Sequence, residues 1–391
     1  MKNLWSDEES KNFTSDLELR VYTSNLLGQS DELVLHGGGN TSVKVEVDDE
    51  DILYVKGSGW DLVSIKAEGF APVKLEALWE MANLPTLSDT DMVSGQKAAM
   101  IDKTAPNPSV EAILHAIIPF KFVDHTHADA VVTISNSVNG IENIQKLYPN
   151  FLIIPYVMPG FLLAQKIYIK TKDLDWSKCE GIILHNHGIF TFDDEPKISY
   201  TKMIDAVTKA EEFLAENAKV TLKLSNSKKK IDLKKLQHLL CEHKGFPVVL
   251  HVNRSNLAYT YATQEDLEHF TCRGVLTPEH IIRTKRMPLV LSDDNFEVAI
   301  ETYEAKYIEY FETFATNEIC LNPAPNYAVV KDYGIICFGK NEKEASIIND
   351  IVEHTMLAVL RADQLGGYKS INVAESFAME YWELEQAKLR K

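Results

Sequence analysis

The sequence has no long apolar run: nothing in its 391 residues approaches the roughly 20 consecutive apolar positions that a membrane-spanning helix needs. Its start, Met1-Lys2-Asn3-Leu4-Trp5-Ser6-Asp7-Glu8-Glu9, lacks the apolar centre of a secretory signal. These absences imply a cytoplasmic protein with no membrane association. Cysteine is scarce as well. Cys179, Cys241, Cys272, Cys320 and Cys337 are odd in number and widely spaced, which excludes a disulfide framework or a zinc knuckle and reads as reduced thiols. Basic charge is outweighed, with 40 Lys and Arg against 57 Asp and Glu and a net charge of -17. That argues against nucleic acid as a partner, because its binding rests on phosphate neutralisation. An anionic substrate would therefore have to be met by a local site rather than by the overall field.

What is present reads as an α/β chain with room for more than one domain. Residues 15–27 read as an opening helix. Val43-Lys44-Val45-Glu46-Val47 alternates as a strand, turns at the acidic residues 48–51, and returns through Ile52-Leu53-Tyr54-Val55, a hairpin by period. Helical stretches are expected near 74–82 and 110–117. A further one, 198–216, carries Met203, Val207, Ala210 and Leu214 on one face. The polar, basic Ser225-Asn226-Ser227-Lys228-Lys229-Lys230 suggests a boundary: a domain over 1–225, a linker over 226–245 and a lobe over 246–391. In that lobe strands are expected near 247–252, a hairpin over 327–338 and a helix over 343–363. Its apolar positions Ile347, Ile348, Ile351, Val352, Leu357 and Leu360 call for a partner surface, hence a role in packing and oligomerisation. One internal echo stands out. His187-Gly188-Ile189-Phe190-Thr191-Phe192 aligns with Tyr333-Gly334-Ile335-Ile336-Cys337-Phe338, each before a polar turn and a long helix. This is either a degenerate relative without a metal or the ordinary look of a strand, turn and helix.

His125 and His127 lie one residue apart at the end of an apolar run, so on a strand they project from one face. His187, from a neighbouring strand, would complete the three-ligand set of a catalytic divalent metal and leave a position open. The alternative is a pair of ordinary strand histidines. The loop His36-Gly37-Gly38-Gly39-Asn40-Thr41-Ser42 imitates the start of a dinucleotide fingerprint. A strand follows instead of a helix, and Ser42 stands where the third glycine belongs, so no NAD site is expected in this chain. The loop instead suits an anion met by backbone N–H groups with Asn40 and Ser42, and Gly57-Ser58-Gly59 makes a second such turn. Plain hairpin glycines are the alternative. Pro108-Ser109 suits a helix start capped by Ser109, which puts Glu111 in the first turn. There Glu111 is either surface or, beside a metal, a base. His115, one turn on, reads as a packed histidine.

These residues together resemble the class II aldolase/adducin family. Gly39-Asn40-Thr41-Ser42 matches its phosphate loop, Ser58-Gly59 its second turn, and Pro108-Ser109-Val110-Glu111 its proline-serine-x-glutamate. His125 with His127 and Asn186-His187-Gly188 follow in family order. Val110 departs from the pattern, where the sugar-phosphate aldolases commonly have a second serine. The likeness is nearest to the aldolase part of bifunctional rhamnulose-1-phosphate aldolase/short-chain alcohol dehydrogenases, through Tyr54-Val55-Lys56-Gly57-Ser58-Gly59-Trp60 and, in the C-terminal half, Thr277-Pro278-Glu279-His280-Ile281-Ile282-Arg283-Thr284-Lys285 and residues 380–388. The resemblance implies a three-layer α/β/α domain with a smaller C-terminal α/β lobe. It also implies a zinc-dependent aldehyde-lyase that cleaves a ketose 1-phosphate, such as L-rhamnulose or L-fuculose 1-phosphate, to dihydroxyacetone phosphate and an aldehyde through a metal-stabilised enediolate. His125, His127 and His187 would hold Zn²⁺ or another divalent ion. Glu111 would be catalytic, and Gly39, Asn40, Ser42, Ser58, Gly59 and Ser109 would hold the phosphate. A homo-oligomer, a tetramer in many relatives, is implied. No dehydrogenase unit is read before Lys391, so lactaldehyde-type oxidation does not carry over with the resemblance, and a separate dehydrogenase is a candidate partner. An epimerase or dehydratase with the same ligands is the first rival, and a non-catalytic adducin-like scaffold the second.

Overall fold

The computed structural model describes residues 1–387 and divides into two units, Met1–Ser135 with Ile141–Phe213, and Asn136–Gly140 with the described residues from Leu214 on. The last residues of the 380–388 motif and of the 246–391 lobe lie outside the described residues. Among those described, no helix is long and apolar enough to cross a membrane.

The first unit is built on a seven-stranded sheet: β1 (Asn40–Val47), β2 (Glu50–Lys56), β3 (Phe70–Lys74), β4 (Phe122–Thr126), β5 (Phe151–Ile154), β6 (Gly181–Leu184) and β7 (Gly188–Asp193), in the order β3-β2-β1-β4-β7-β6-β5. Only β5 and β6 run parallel. The period of two in each strand sorts residues onto two faces. Val123, Phe190 and Phe192 join Leu75, Leu78, Ile113, Leu114, Phe161 and Leu163 in the core on one face. Those partners come from helices Leu75–Ala82, Ala112–Ile117 and Phe161–Thr171. On the opposite face Asp124 meets Arg20 of helix Asp16–Gly28 and Ser199 of helix Pro196–Asn217, and Thr126 meets Met203. Helices thus cover both faces, which gives the three-layer α/β/α arrangement. The opening helix is fixed by a capping box, Ser15 with Glu18. The hairpin β1–β2 turns on Asp48 and Asp49 at φ 52° and 63°, the left-handed pair that a two-residue turn requires.

The second unit has a four-stranded sheet of β8 (Val249–Asn253), β9 (Leu289–Leu291), β10 (Tyr327–Val330) and β11 (Gly334–Gly339), ordered β8-β11-β10-β9. The helix expected over 343–363 spans Glu342–Gln364. It buries Ile348, Ile351, Val352 and Leu360 and packs on β11 and β8, so its apolar face has a partner within its own unit. Residues 226–245, read as a connection, contain helix Leu233–Lys244. Its Leu236 and Leu240 are fully buried in this unit's core, and Gly245 ends it in the left-handed conformation.

Candidate functional site

Strand pairing brings the three histidines together. Antiparallel register sets His125 opposite Phe190 of β7 and, on the other side, opposite Asn40 of β1. The His125 ring lies flat on Phe190, centroids 4.0 Å apart. Its Nδ1 faces the Ile189 carbonyl at 3.1 Å; a carbonyl only accepts, so Nδ1 carries the hydrogen and Nε2 keeps its lone pair. His127 sits one residue beyond β4, and its Nε2 lies 3.0 Å from that of His125. His187 comes from the β6–β7 turn, where Asn186 adopts φ 59°. The three rings' ligand atoms all lie within 4.8 Å of one another. Gly188 makes this approach possible: a Cβ there would lie 2.5 Å from the Thr126 carbonyl oxygen and 2.8 Å from the His125 ring. Any side chain would push the strands apart.

Glu111 faces this cluster. Its Oε2 lies 3.5 Å from His125 Nε2 and its Oε1 lies 3.7 Å from His187 Nε2. The carboxylate is only 7% exposed, and its Oε1 has no hydrogen bond. The residue does not fall in a first helical turn, as spacing suggested. It precedes helix Ala112–Ile117 at φ -90°. The reason is non-local: Ser109 N–H donates to the Lys56 carbonyl at 3.0 Å and Gly57 bridges Pro108, which holds the chain extended here.

A buried polar chain supports Glu111 from behind. Asn40 Nδ2 donates to Glu111 Oε2 at 2.6 Å and to Ser109 Oγ at 3.1 Å. Its amide oxygen meets His115 Nε2, and Ser42 Oγ lies 2.8 Å from His115 Nδ1. Since Asn40 Oδ1 only accepts, His115 donates from Nε2 and accepts the Ser42 hydroxyl hydrogen at Nδ1. His115 is fully buried, and burial, with the positive charges of Lys44 and Arg20 adding to it, holds its pKa well below 6.5. It is neutral, and it decides which end of the Asn40 amide faces Glu111. Lys44 Nζ donates to the carbonyls of His115, Ile118 and Phe120 at the C-terminal end of the same helix. Burial pulls its pKa down to about 7, yet three carbonyls and the helix dipole favour the charged form.

Of the residues expected to hold a phosphate, Asn40 touches Ser109, whereas Gly39 and Ser42 are taken up by the frame. Gly39 has φ 71°, and a Cβ there would lie 2.7 Å from the His125 carbonyl oxygen, so it clamps β1 to β4. Ser42 is fully buried with its hydroxyl engaged by His115, and is thereby removed from any solvent-facing anion site. Ser58 and Gly59 are exposed at the end of β2, where Ser58 N–H donates to the Asn107 carbonyl at 2.8 Å beside half-buried Ser109. The sequence reading missed the group behind β4: Asp124 binds Arg20 and the Ser199 hydroxyl, all three fully buried. The available signal was a carboxylate inside an apolar strand, which demands a partner.

Two family models match in succession. Residues 19–214 fit the class II aldolase and adducin N-terminal domain, and residues 228–389 fit the class II aldolase second domain. An uncharacterized oxidoreductase of Bacillus subtilis, YuxG, is 27% identical over 424 residues that take in all of this chain. The chain spans 60% of that relative's length. Among solved structures, the N-terminal class II aldolase domain of a conserved Thermoplasma acidophilum protein is 38% identical with a TM-score of 0.51, covering 55% of this chain and 99% of that one. With half of its residues matched by the first model and the sheet, histidines and glutamate arranged as described, the chain belongs to the class II aldolase/adducin family.

Proposed function

We propose that the chain is a metal-dependent aldehyde-lyase acting on a ketose 1-phosphate. The observation that carries this reading is the buried Glu111 Oε1, without a hydrogen bond and facing three converging imidazoles. Such an arrangement suits a divalent cation, Zn²⁺ or another, held by His125, His127 and His187. When bound, the ion supplies a Lewis acid for a carbonyl oxygen. His125 Nδ1–H, fixed on the Ile189 carbonyl, aims the other ring nitrogen at that position. In the reaction the carbon–carbon bond beside the carbonyl-bearing fragment breaks, the hydroxyl on the departing side loses its proton to become an aldehyde, and the remaining carbon is protonated. Glu111 is the proton carrier, aimed by the hydrogen bond that its Oε2 accepts from Asn40 Nδ2. Ser109, Ser58 and the Gly59 backbone are the groups left to meet a phosphate, with Gly39, Asn40 and Ser42 reassigned to holding the frame.

Metal analysis of the purified chain, with a screen of ketose 1-phosphates for aldehyde release, tests this. About one divalent ion per chain and release from at least one ketose phosphate are expected. A chain with no such ion, or one that only epimerises or dehydrates these substrates, refutes the lyase.

A further inference from the structure

The second unit holds two adjoining hollows that the proposed reaction does not use. One, about 370 Å³, is walled by Met287, Tyr303, Tyr307, Tyr310 and Phe314. The other, a wider cleft of about 740 Å³, runs past Asp266, Glu268, Arg273 and Ser370. Arg286 and Val373 line both. Arg286 is half-buried, its Nε is fully shielded from solvent without a hydrogen bond, and its guanidinium has no ion pair among the described residues. Arg273 is engaged in part: Nε donates to the Phe270 carbonyl at 3.0 Å and Nη1 to Asp363 at 3.2 Å, while Nη2 is buried without a hydrogen bond.

Of the carboxylates nearby, buried Glu380 feels Arg286 through space, together with Lys285, but forms no ion pair with its fork, and the others are engaged elsewhere or exposed. Asp266 caps helix Leu267–Thr271 through the His269 N–H, Glu268 pairs with Lys306 at 2.5 Å, and Glu309 is exposed. The aromatic wall is stiff. The Tyr307 hydroxyl is fixed between Glu380 and Tyr381, at 2.9 Å from each. The buried Tyr310 hydroxyl is turned toward Glu380 without reaching ordinary hydrogen-bond geometry. An unengaged guanidinium fork matches a carboxylate or phosphate. Fixed tyrosine rings suit a flat or apolar body, and the volume falls in the range of small-molecule pockets.

We infer that this hollow is a binding site for a small organic anion, its carboxylate or phosphate gripped by Arg286 and its ring-shaped or apolar body lying among Tyr303, Tyr307 and Tyr310. The site is independent of the aldolase reading, since none of its residues belongs to the first unit.

Calorimetric titration of the full chain with phenyl phosphate, inorganic phosphate and benzyl alcohol tests it. Phenyl phosphate should bind about tenfold or more tighter than either of the others, because it alone engages both fork and wall. Arg286→Gln should weaken it by about ten- to a hundredfold. Phe314→Ala should weaken phenyl phosphate but not inorganic phosphate, a check that holds even where Arg286→Gln folds poorly. Binding must also survive His187→Ala, which leaves this unit untouched. The proposal is overturned if phenyl phosphate gives no heat up to about 10 mM, if Arg286→Gln and Phe314→Ala both bind it like wild type, or if His187→Ala abolishes it. It is also overturned if a second copy of the chain covers the hollow, seen as self-association that Arg286→Gln disrupts.

Discussion

The hairpins β6–β7 and β10–β11 share one backbone and differ in chemistry. In the first, Leu184 pairs with Gly188, Asn186 sits at φ 59°, and the His187 N–H returns to the Leu184 carbonyl at 3.1 Å. In the second, Val330 pairs with Gly334, Asp332 sits at φ 57°, and the Tyr333 N–H returns to the Val330 carbonyl at 3.0 Å. A long helix follows each, Pro196–Asn217 and Glu342–Gln364. The divergence comes from the strand next door. Beside β7, β4 brings His125 and His127 to meet His187. Beside β11, β8 brings Asn253, whose amide serves Asn349 and Glu353, while Tyr333 packs in the core under the Arg254 guanidinium. The turn is therefore a general scaffold, and whether imidazoles gather at it is decided by the cross-strand neighbour.

Exchanging the turn residues tests this most severely. His187→Tyr should drop bound metal below about one-tenth per chain and turnover by more than about a thousandfold, with the circular dichroism unchanged. The reciprocal Tyr333→His should bind no second ion, because β8 offers no imidazole pair; a second equivalent of metal in that variant would break the comparison. Next comes Glu111→Gln. Turnover should fall about 100- to 10,000-fold while the metal stays, measured by elemental analysis alongside initial rates.

A pH titration of stability separates the units more gently. His115 stays neutral when folded, with its pKa held well below 6.5, whereas in the unfolded chain it takes up a proton near that value. The unfolded state then binds more protons, so this contribution is present above about pH 6.5 and is lost as pH falls, by up to about 1.4 kcal/mol per unit. Denaturant unfolding of metal-free protein should show that slope, and His115→Gln should flatten it. Smallest are the turn backbones. Asn186→Ala and Asp332→Ala should each cost about 1–2 kcal/mol from the left-handed φ, and glycine at either position less. A large inequality between the two in urea melts would mean that one side chain does more than form a turn.

Local order was the part most legible from residues alone. Alternating Val43, Val45 and Val47 with the acidic turn marked β1 and β2, and the mixed charged and apolar run over 15–27 marked the first helix, because those signals lie within a few residues of each other. The pairing of His125 with His127 followed from a spacing of two. What escaped depends on contacts far apart in the chain. Ser42 looked free to meet an anion because its partner, His115, lies 73 residues away; Arg20 and Asp124 are 104 apart. Glu111 was set in a helix because no local signal discloses that residues 107–109 are tied to β2. Periodicity reports which face a residue takes, and only the folded sheet reports what stands opposite.

The buried trio of Arg20, Asp124 and Ser199 has a consequence for anyone diversifying this chain. Asp124 is the residue before His125 and points the other way, so the trio anchors the strand on which the imidazole is carried. Replacing Arg20 or Asp124 alone leaves an unmatched charge inside the protein, typically a loss of about 3–5 kcal/mol, whereas an apolar set of similar volume can be neutral. A library that varies these positions singly would discard them as essential and mistake a foundation for a working part. Varied together, they are expected to be replaceable, and a lineage that found such a set would carry the same histidines on a strand with no ions beneath it.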